Sequence, residues 1–221
     1  MSKFQQWPAS NILALYRLAD VNDSSGNSHT LTNGGTVTFG AGRIGNCALL
    51  GNANSSKYLL HGDALGKDLS GEASISVWFM LQTLPASGET QTIARWASTV
   101  GTSRYLNCNY INDGGTKKIS IVCSGSGDLI SYVIDLATDT WYKLDVNIAA
   151  TCEAFLNGVS IGTVSRGTAT TAYDLVVLGA YYSTAANSFM KGNVDEAVFF
   201  SAVRTAAAIR RRYAFERGML M

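Results

Sequence analysis

Gly192-Asn193-Val194-Asp195-Glu196-Ala197-Val198-Phe199-Phe200, followed by Ser201-Ala202-Val203-Arg204-Thr205-Ala206-Ala207-Ala208-Ile209-Arg210, reads as a strand that runs into a short helix. Val194, Ala197 to Phe200 and Val203 supply apolar surface, and Asp195 and Glu196 break it with two adjacent carboxylates. Thr205 is placed to cap the helix, and Ile209 and Tyr213 fall one turn apart on one face. Arg210, Arg211, Arg212 and Arg217 gather towards its C-terminus, where cations suit the helix dipole. That basic cluster fits either a solvated helix end or a contact with an acidic neighbouring subunit.

Upstream, the chain is a succession of short strand signals. Ile75, Val77 and Phe79 alternate with Ser74, Ser76 and Trp78, the period-2 pattern of a half-buried strand. Residues 104–111 and 117–124 form a hairpin around Asn112-Asp113-Gly114-Gly115. Leu106, Cys108 and Tyr110 share one of its faces with Ile119, Ile121 and Cys123, and Tyr105, Asn107 and Asn109 share the other with Lys118, Ser120 and Ser124. Leu156-Asn157-Gly158-Val159 carries the signal of a type I′ turn. Ile12 to Leu18, Ser56 to Leu60, Thr92 to Trp96, residues 128–136, Trp141 to Leu144 and Leu175 to Ala180 add further strands, and Tyr181 to Asn187 reads as a loop. Many short strands and one helical pattern predict an all-β protein of two packed antiparallel sheets with one short C-terminal helix.

A chain of 221 residues accommodates this as one large sandwich that buries most of its apolar surface without staples. A net charge of +1 gives no reason to expect nucleic acid or an anionic membrane as a partner. No apolar run approaches the roughly 18 residues that suggest a membrane span. Met1-Ser2-Lys3-Phe4-Gln5-Gln6-Trp7-Pro8 lacks the apolar core of a signal peptide, so synthesis in a cytoplasm without the usual export is expected. Cys108 faces Ile119 or Ile121 rather than Cys123, and Cys47, Cys108, Cys123 and Cys152 read as free, buried, small apolar residues. No repeat or linker divides the chain: residues 1–10 form an arm and 11–221 one domain. Phe4 and Trp7 on the arm either tuck onto the sandwich or dock onto a partner.

Taken in order, these stretches resemble the laminin-G-like branch of the concanavalin A-like lectin/glucanase superfamily. Asp23-Ser24-Ser25-Gly26-Asn27 resembles that branch's Asp-x-Ser-Gly-Asn opening turn, and Ser74 to Phe79 its Phe-Thr-Ile-Ser-Ala-Trp-Val strand. Thr92-Ile93-Ala94-Arg95-Trp96 is similar to its Ile-x-x-Lys-Trp strand, and Leu156-Asn157-Gly158 to its Tyr-Val-Asn-Gly hairpin. The opening stretch around Asp195 resembles its late Gly-x-Ile/Val-Asp-Glu-Val strand. Leu50 and the lack of an Asp before Gly51 depart from the pattern, and Tyr142 and Lys143 stand where the family has histidines. The resemblance covers about residues 11–213 and implies a jelly-roll sandwich.

Glycosidases with this kind of fold resemble one another in a Glu-x-Asp-x-x-Glu strand, whose carboxylates must flank the scissile bond at about 5–5.5 Å for retention. Asn193 and Val198 occupy the places those glutamates need, so the chain is expected not to be an enzyme of that kind. With His29 and His61 as the only histidines, a histidine-based catalytic group is poorly supported too. The resemblance implies a possible structural Ca²⁺, for which Asp20, Asp23 and Asp195 are the candidate ligands. The competing reading has Asp23 in an Asx-turn and Asp195 accepting backbone N–H bonds. Sugar binding needs aromatic platforms beside amides and hydroxyls. Tyr105, Asn107, Asn109 and Ser120 offer such a face and Trp96, Tyr181 and Tyr182 a rim, unless the face is an ordinary solvated one.

The expected function is a non-catalytic binding or adhesion module. Laminin-G-like folds usually work outside cells, and a chain without signal peptide or disulfides reconciles with that as a phage virion surface protein, a decoration or tail component released by lysis. Its partners are then a virion structural protein or further copies of itself, with carbohydrate as a possible ligand. A free lectin, or a module of a polysaccharide-active system, is the alternative, and a glycoside hydrolase the least favoured.

Overall fold

A computed structural model describes residues 11–51, 56–62, 65, 71–97, 105–123, 129–166, 175–182 and 185–218. In chain order the strands are β1 (Ile12–Tyr16), β2 (Thr32–Gly34), β3 (Thr38–Ala41), β4 (Asn46–Gly51), β5 (Tyr58–His61) and β6 (Ala73–Leu81). Next come β7 (Thr90–Ala97), β8 (Tyr105–Asp113), β9 (Thr116–Cys123), β10 (Leu129–Val133), β11 (Trp141–Ile148) and β12 (Thr151–Leu156). The series closes with β13 (Val159–Ser165), β14 (Leu175–Leu178), β15 (Tyr181–Tyr182), β16 (Ala186–Asn187), β17 (Gly192–Phe200) and the helix α1 (Ala206–Gly218). No helix among the described residues is long and apolar enough to cross a membrane.

Two antiparallel sheets form the sandwich. One runs β13-β12-β11-β6-β17-β4-β3, with β1 also paired to β17, and the other β10-β9-β8-β7-β14-β5-β2. β17 is the hub of the first. β6 borders one of its edges along the whole length, while β4 (at Gly192 to Val194) and β1 (at Ala197 to Phe200) share the other. A bulge between Asp195 and Val198, with Glu196 at φ 44°, shifts the pairing with β6. Val194, Ala197 and Phe199 thereby face the common core, and Val198 and Phe200 join a separate apolar cluster with Leu15. Phe199 meets Trp96 of the opposite sheet edge-on at 5.3 Å between ring centroids, and Tyr16 at 6.0 Å, which ties the two layers together.

The expected face of Ile75, Val77 and Phe79 lies in the core. The other face of β6 is buried as well, against the half-buried expectation, because the segment after β17 folds back over it. Thr205 caps α1 by accepting the N–H of Ala208 at 3.2 Å, and Ile209 is buried. Tyr213 stacks on Trp78 at 5.8 Å, and Arg204 donates to Asp145 at 2.8 Å. Glu216 takes the N–H of Trp78 and pairs with Lys143 and Arg212, while Arg210, Arg211 and Arg217 are exposed.

The Asn157-Gly158 hairpin forms as expected, with φ of 51° and 77°. A Cβ on Gly158 would stand 3.3 Å from Arg210 Cα and Tyr213 Cβ, so the helix rests against this turn. All four cysteines are free and buried, and Cys108 faces Ile121. Tyr181 to Asn187 is not a plain loop: Tyr181 pairs with Asn187 and Tyr182 with Ala186 in a small hairpin. The arm, with Phe4 and Trp7, lies outside the described residues.

Candidate functional site

α1 packs on the outer face of the eight-stranded sheet at Trp78 and Lys143, and the outer face of the seven-stranded sheet carries a different set of side chains. Val122, Asn107, Arg95, Val177 and Leu60 stand in register across β9, β8, β7, β14 and β5. Arg95 Nη1 donates to Asn107 Oδ1 at 2.6 Å, and its guanidinium lies 4.0 Å from the centre of the Tyr181 ring. Thr92 Oγ1 donates to Asn109 Oδ1 at 2.9 Å. Beside this polar half, the buried Ala97, Leu175, Val177 and Ala180 form an apolar cluster on which the half-buried Tyr58, Tyr182 and Phe189 pack. The Tyr58 ring lies 5.8 Å from that of Tyr182 and 6.3 Å from that of Phe189, so the three form a continuous aromatic row.

The row ends in an open cleft of about 560 Å³ lined by Ser56, Gly88, Glu89, Thr90, Ser188, Phe189 and Lys191. That is the size of a small-ligand site. Its ion pair, Glu89 to Lys191 at 2.5 Å, is well fixed. Lys191 N donates to the buried Gln91 side chain at 2.9 Å, and Gln91 in turn donates to the Thr83 carbonyl at 3.0 Å. Glu89 accepts the Ala86 N–H at 2.7 Å within its own turn. Partial burial pushes the Glu89 carboxyl up, but Lys191 and the Ala86 amide outweigh it and hold the group below the usual carboxylate range. The cleft thus sets an aromatic wall beside hydroxyls, a cation and an ionised acceptor.

The sequence-derived site residues divide. Tyr181 and Tyr182 belong to this face. Asn107 and Asn109 point to it, but they are 5% and 8% exposed and their amide oxygens are engaged by Arg95 and Thr92, so they support the floor rather than meet a ligand. Tyr105 sits in β8 opposite Ala97, and its side chain is outside the described set. Trp96 is a correction. It is fully buried on the core side against Phe199, because the bulge between Thr92 and Ala94 sets which residues of β7 face outward. Tyr58, Glu89, Phe189 and Lys191 were missed. Tyr58 shares a strand face with Leu60 by period-2 alternation, a signal within reach, whereas Glu89 and Lys191 meet only through the fold.

Of the expected calcium ligands, Asp20 and Asp23 bind protein donors, and Asp195 does so through one of its two oxygens. Asp23 Oδ1 accepts the N–H groups of Leu15 and Ser25 at 2.9 and 2.8 Å, and its Oδ2 accepts Ser25 Oγ at 2.7 Å and the His29 N–H at 3.2 Å. Asp20 accepts from Asn22, and Asp195 Oδ2 accepts the Ile44 N–H at 2.8 Å. Among the described residues no three His, Cys, Asp or Glu side chains gather as a metal group. Asp195 is fully buried, and Gly42 lets the backbone come so near that a Cβ there would lie 2.6 Å from Asp195 Oδ2. Glu196, also buried, reaches Arg17 at 3.5 Å.

The sequence model of the concanavalin A-like lectin/glucanases superfamily matches residues 50–210. The chain belongs to this superfamily. Solved structures share the superfamily's jelly-roll fold. Domain 4 of AbnA, a GH43 extracellular arabinanase from Geobacillus stearothermophilus in complex with arabinotriose, superposes with a TM-score of 0.70 at 20% identity over 90% of this chain and 97% of that one. The binding domain of botulinum neurotoxin DC in complex with SialylT gives 0.69 at 14% identity over 94% of this chain and 52% of that one. The receptor binding domain of botulinum neurotoxin type G gives 0.66 at 12% identity, over 93% and 51%. This chain therefore spans about half of the toxin domains. A comparison with curated proteins finds no match.

Proposed function

We propose that the protein is a non-catalytic glycan-binding module that serves as a decoration or tail component on the surface of a phage particle. The observation that carries the binding reading is the Tyr182–Tyr58–Phe189 row running into the Glu89–Lys191 cleft. Sugar rings present C–H faces that stack on aromatic side chains, and hydroxyls that suit fixed carboxylate, ammonium and serine or threonine groups. Two neighbours in fold carry arabinotriose and SialylT, so oligosaccharides of these classes are the first ligands to try.

The non-catalytic part rests on the carboxylates. Glu89 is the sole carboxylate among the described residues lining the cleft, and it is tied to Lys191 and Ala86. Asp195 and Glu196, the adjacent pair in sequence, are buried. A glycosidase needs two carboxyl groups flanking one open site. The virion part is supported by four cysteines that are free and buried, which suits a fold completed in a reducing compartment. In this reading Phe4 and Trp7 dock the domain onto a virion structural protein or onto further copies of itself.

A glycan array followed by titration tests the binding. Binding that is lost in Phe189→Ala and Tyr58→Ala, with melting temperatures kept, supports the site, and an array on which the protein binds no glycan refutes it. Deleting residues 2–8 should leave the domain folded and reduce its incorporation into particles, and Trp7→Ala should do so in part. Neighbouring genes separate the two settings. Capsid and tail genes favour the virion, and polysaccharide-degrading genes favour a free lectin or a module of such a system, the setting in which the arabinanase domain occurs.

A further inference from the structure

The chain's two histidines, 32 positions apart, meet in space. His29 lies in the connection between β1 and β2, and His61 is the last residue of β5. His29 Nδ1 is 3.3 Å from His61 Nε2, and the rings stand edge-to-face with centroids 5.1 Å apart. On its far side, His61 Nδ1 is 2.9 Å from the Thr30 carbonyl oxygen. A carbonyl only accepts, so Nδ1 carries the hydrogen there and the lone pair of the neutral ring sits on Nε2, aimed at His29. His29 is held just as firmly through its backbone. Its N–H donates to Asp23 Oδ2 at 3.2 Å, and its carbonyl accepts the hydroxyl of the buried Tyr16 at 2.8 Å.

We propose that His29 and His61 form a binding site for a borderline divalent transition-metal ion of the Zn²⁺, Ni²⁺ or Cu²⁺ kind. Two imidazole nitrogens on a tetrahedral ion, at bonds of about 2.0–2.1 Å, lie about 3.3–3.4 Å apart. The observed separation of 3.3 Å matches that spacing, and rotation of the two rings about their side-chain bonds turns both lone pairs off the line between the nitrogens to meet at one ion. The Thr30 carbonyl on the far N–H of His61 is the outer contact that fixes the tautomer of a metal-bound histidine and raises its basicity. Without metal, the hydrogen between the rings sits on His29 Nδ1 and points at His61 Nε2. On binding it moves to His29 Nε2, both facing nitrogens offer lone pairs, and neutral rings release no net proton. Among the described residues no third His, Cys, Asp or Glu joins the pair, so water fills the remaining positions. Imidazole nitrogen selects this class of ion over Ca²⁺ and Mg²⁺, which favour oxygen. The bound ion would clamp the β1–β2 connection onto β5.

The test is titration of the full chain with Zn²⁺ alone in chelator-stripped buffer. The expected result is one ion per chain, a raised melting temperature that EDTA reverses, and binding weakened about tenfold or more by His29→Gln or by His61→Gln. Nitrogen-15 spectra of the unaltered protein give a readout that does not depend on a variant folding: His29 Nδ1 and His61 Nε2 should both shift on addition of Zn²⁺. Unmoved ring signals overturn the proposal. So does Zn²⁺ binding that both substitutions leave intact, because other side chains would then be the ligands.

Discussion

The indole N–H of Trp78, on the outer face of the eight-stranded sheet, donates to Oε2 of Glu216 in the last turn of α1 at 2.8 Å. The same oxygen takes the ammonium of Lys143, and Oε1 takes Arg212. Lys143 and Glu216 are both essentially inaccessible to water. A carboxylate near a helix C-terminus opposes the helix dipole, so its stability comes from these three donors. Glu216→Ala leaves the Lys143 charge buried without its partner and should cost about 3–5 kcal/mol in urea unfolding. Lys143→Met combined with Glu216→Leu should recover much of that loss, since removing both charges removes the uncompensated one.

Burial, with the neighbouring Glu196 charge adding to it, pushes the Asp195 carboxyl up from 3.8 to about 7 against the lowering effect of the Ile44 amide. Between these values the folded chain holds a proton that the unfolded chain releases. Stability from this group is therefore greatest near pH 4 and falls as pH rises towards 7, at a slope of up to about 1.4 kcal/mol per pH unit. Asp195→Asn cannot titrate. Its melting temperature should gain on that of the unaltered protein between pH 4.5 and 7.5, and a constant difference between the two would show that folding does not raise the Asp195 carboxyl into this range.

Trp96 and Phe189 should behave as opposites. Trp96→Ala empties the space between the two sheets and should cost about 3–5 kcal/mol. Phe189→Ala removes part of a cleft wall, should cost far less stability, and should abolish glycan binding. Loss of binding without loss of stability in Trp96→Phe would restore Trp96 to the ligand face.

Gly158 has φ 77° and Arg210 and Tyr213 packed over it. Gly158→Ala strains the turn and presses on the helix, and should cost about 1–2 kcal/mol in chemical denaturation.

A structural Ca²⁺ on Asp20, Asp23 and Asp195 would make melting depend on calcium. With four donors on Asp23 alone, curves in calcium and in a calcium-selective chelator are expected to coincide. A higher melting temperature in calcium that Asp23→Asn removes would reinstate the ion.

The alternation of Ile75, Val77 and Phe79, the Asn157-Gly158 turn and the Thr205 cap were legible because each is a local rule of spacing or φ. The burial of Ser74, Ser76 and Trp78 was not, since it follows from the segment after β17 folding back over β6, with Ala202 and Arg204 at Ser74 and α1 at Trp78. Trp96 was misplaced for a related reason: a single bulge in β7 inverts which residues face outward, and nothing in Thr92-Ile93-Ala94 announces it. The aromatic row was half legible. Tyr181 and Tyr182 stand out as a pair, but Tyr58 and Phe189 join them only once β5 and β14 are neighbours.

β17 follows every other strand in chain order and yet lies between β6 and both β4 and β1. A growing chain therefore emerges from the ribosome with β1, β4 and β6 made but with their shared partner missing. The eight-stranded sheet is split until β17 arrives, and its pairings with β1 and β4 span most of the polypeptide. Such non-local closure is slow and leaves apolar strand edges open meanwhile. Nascent chains stalled before Gly192 should be held by chaperones or be sensitive to protease, and release of the stretch through Phe200 should trigger folding of the whole domain at once.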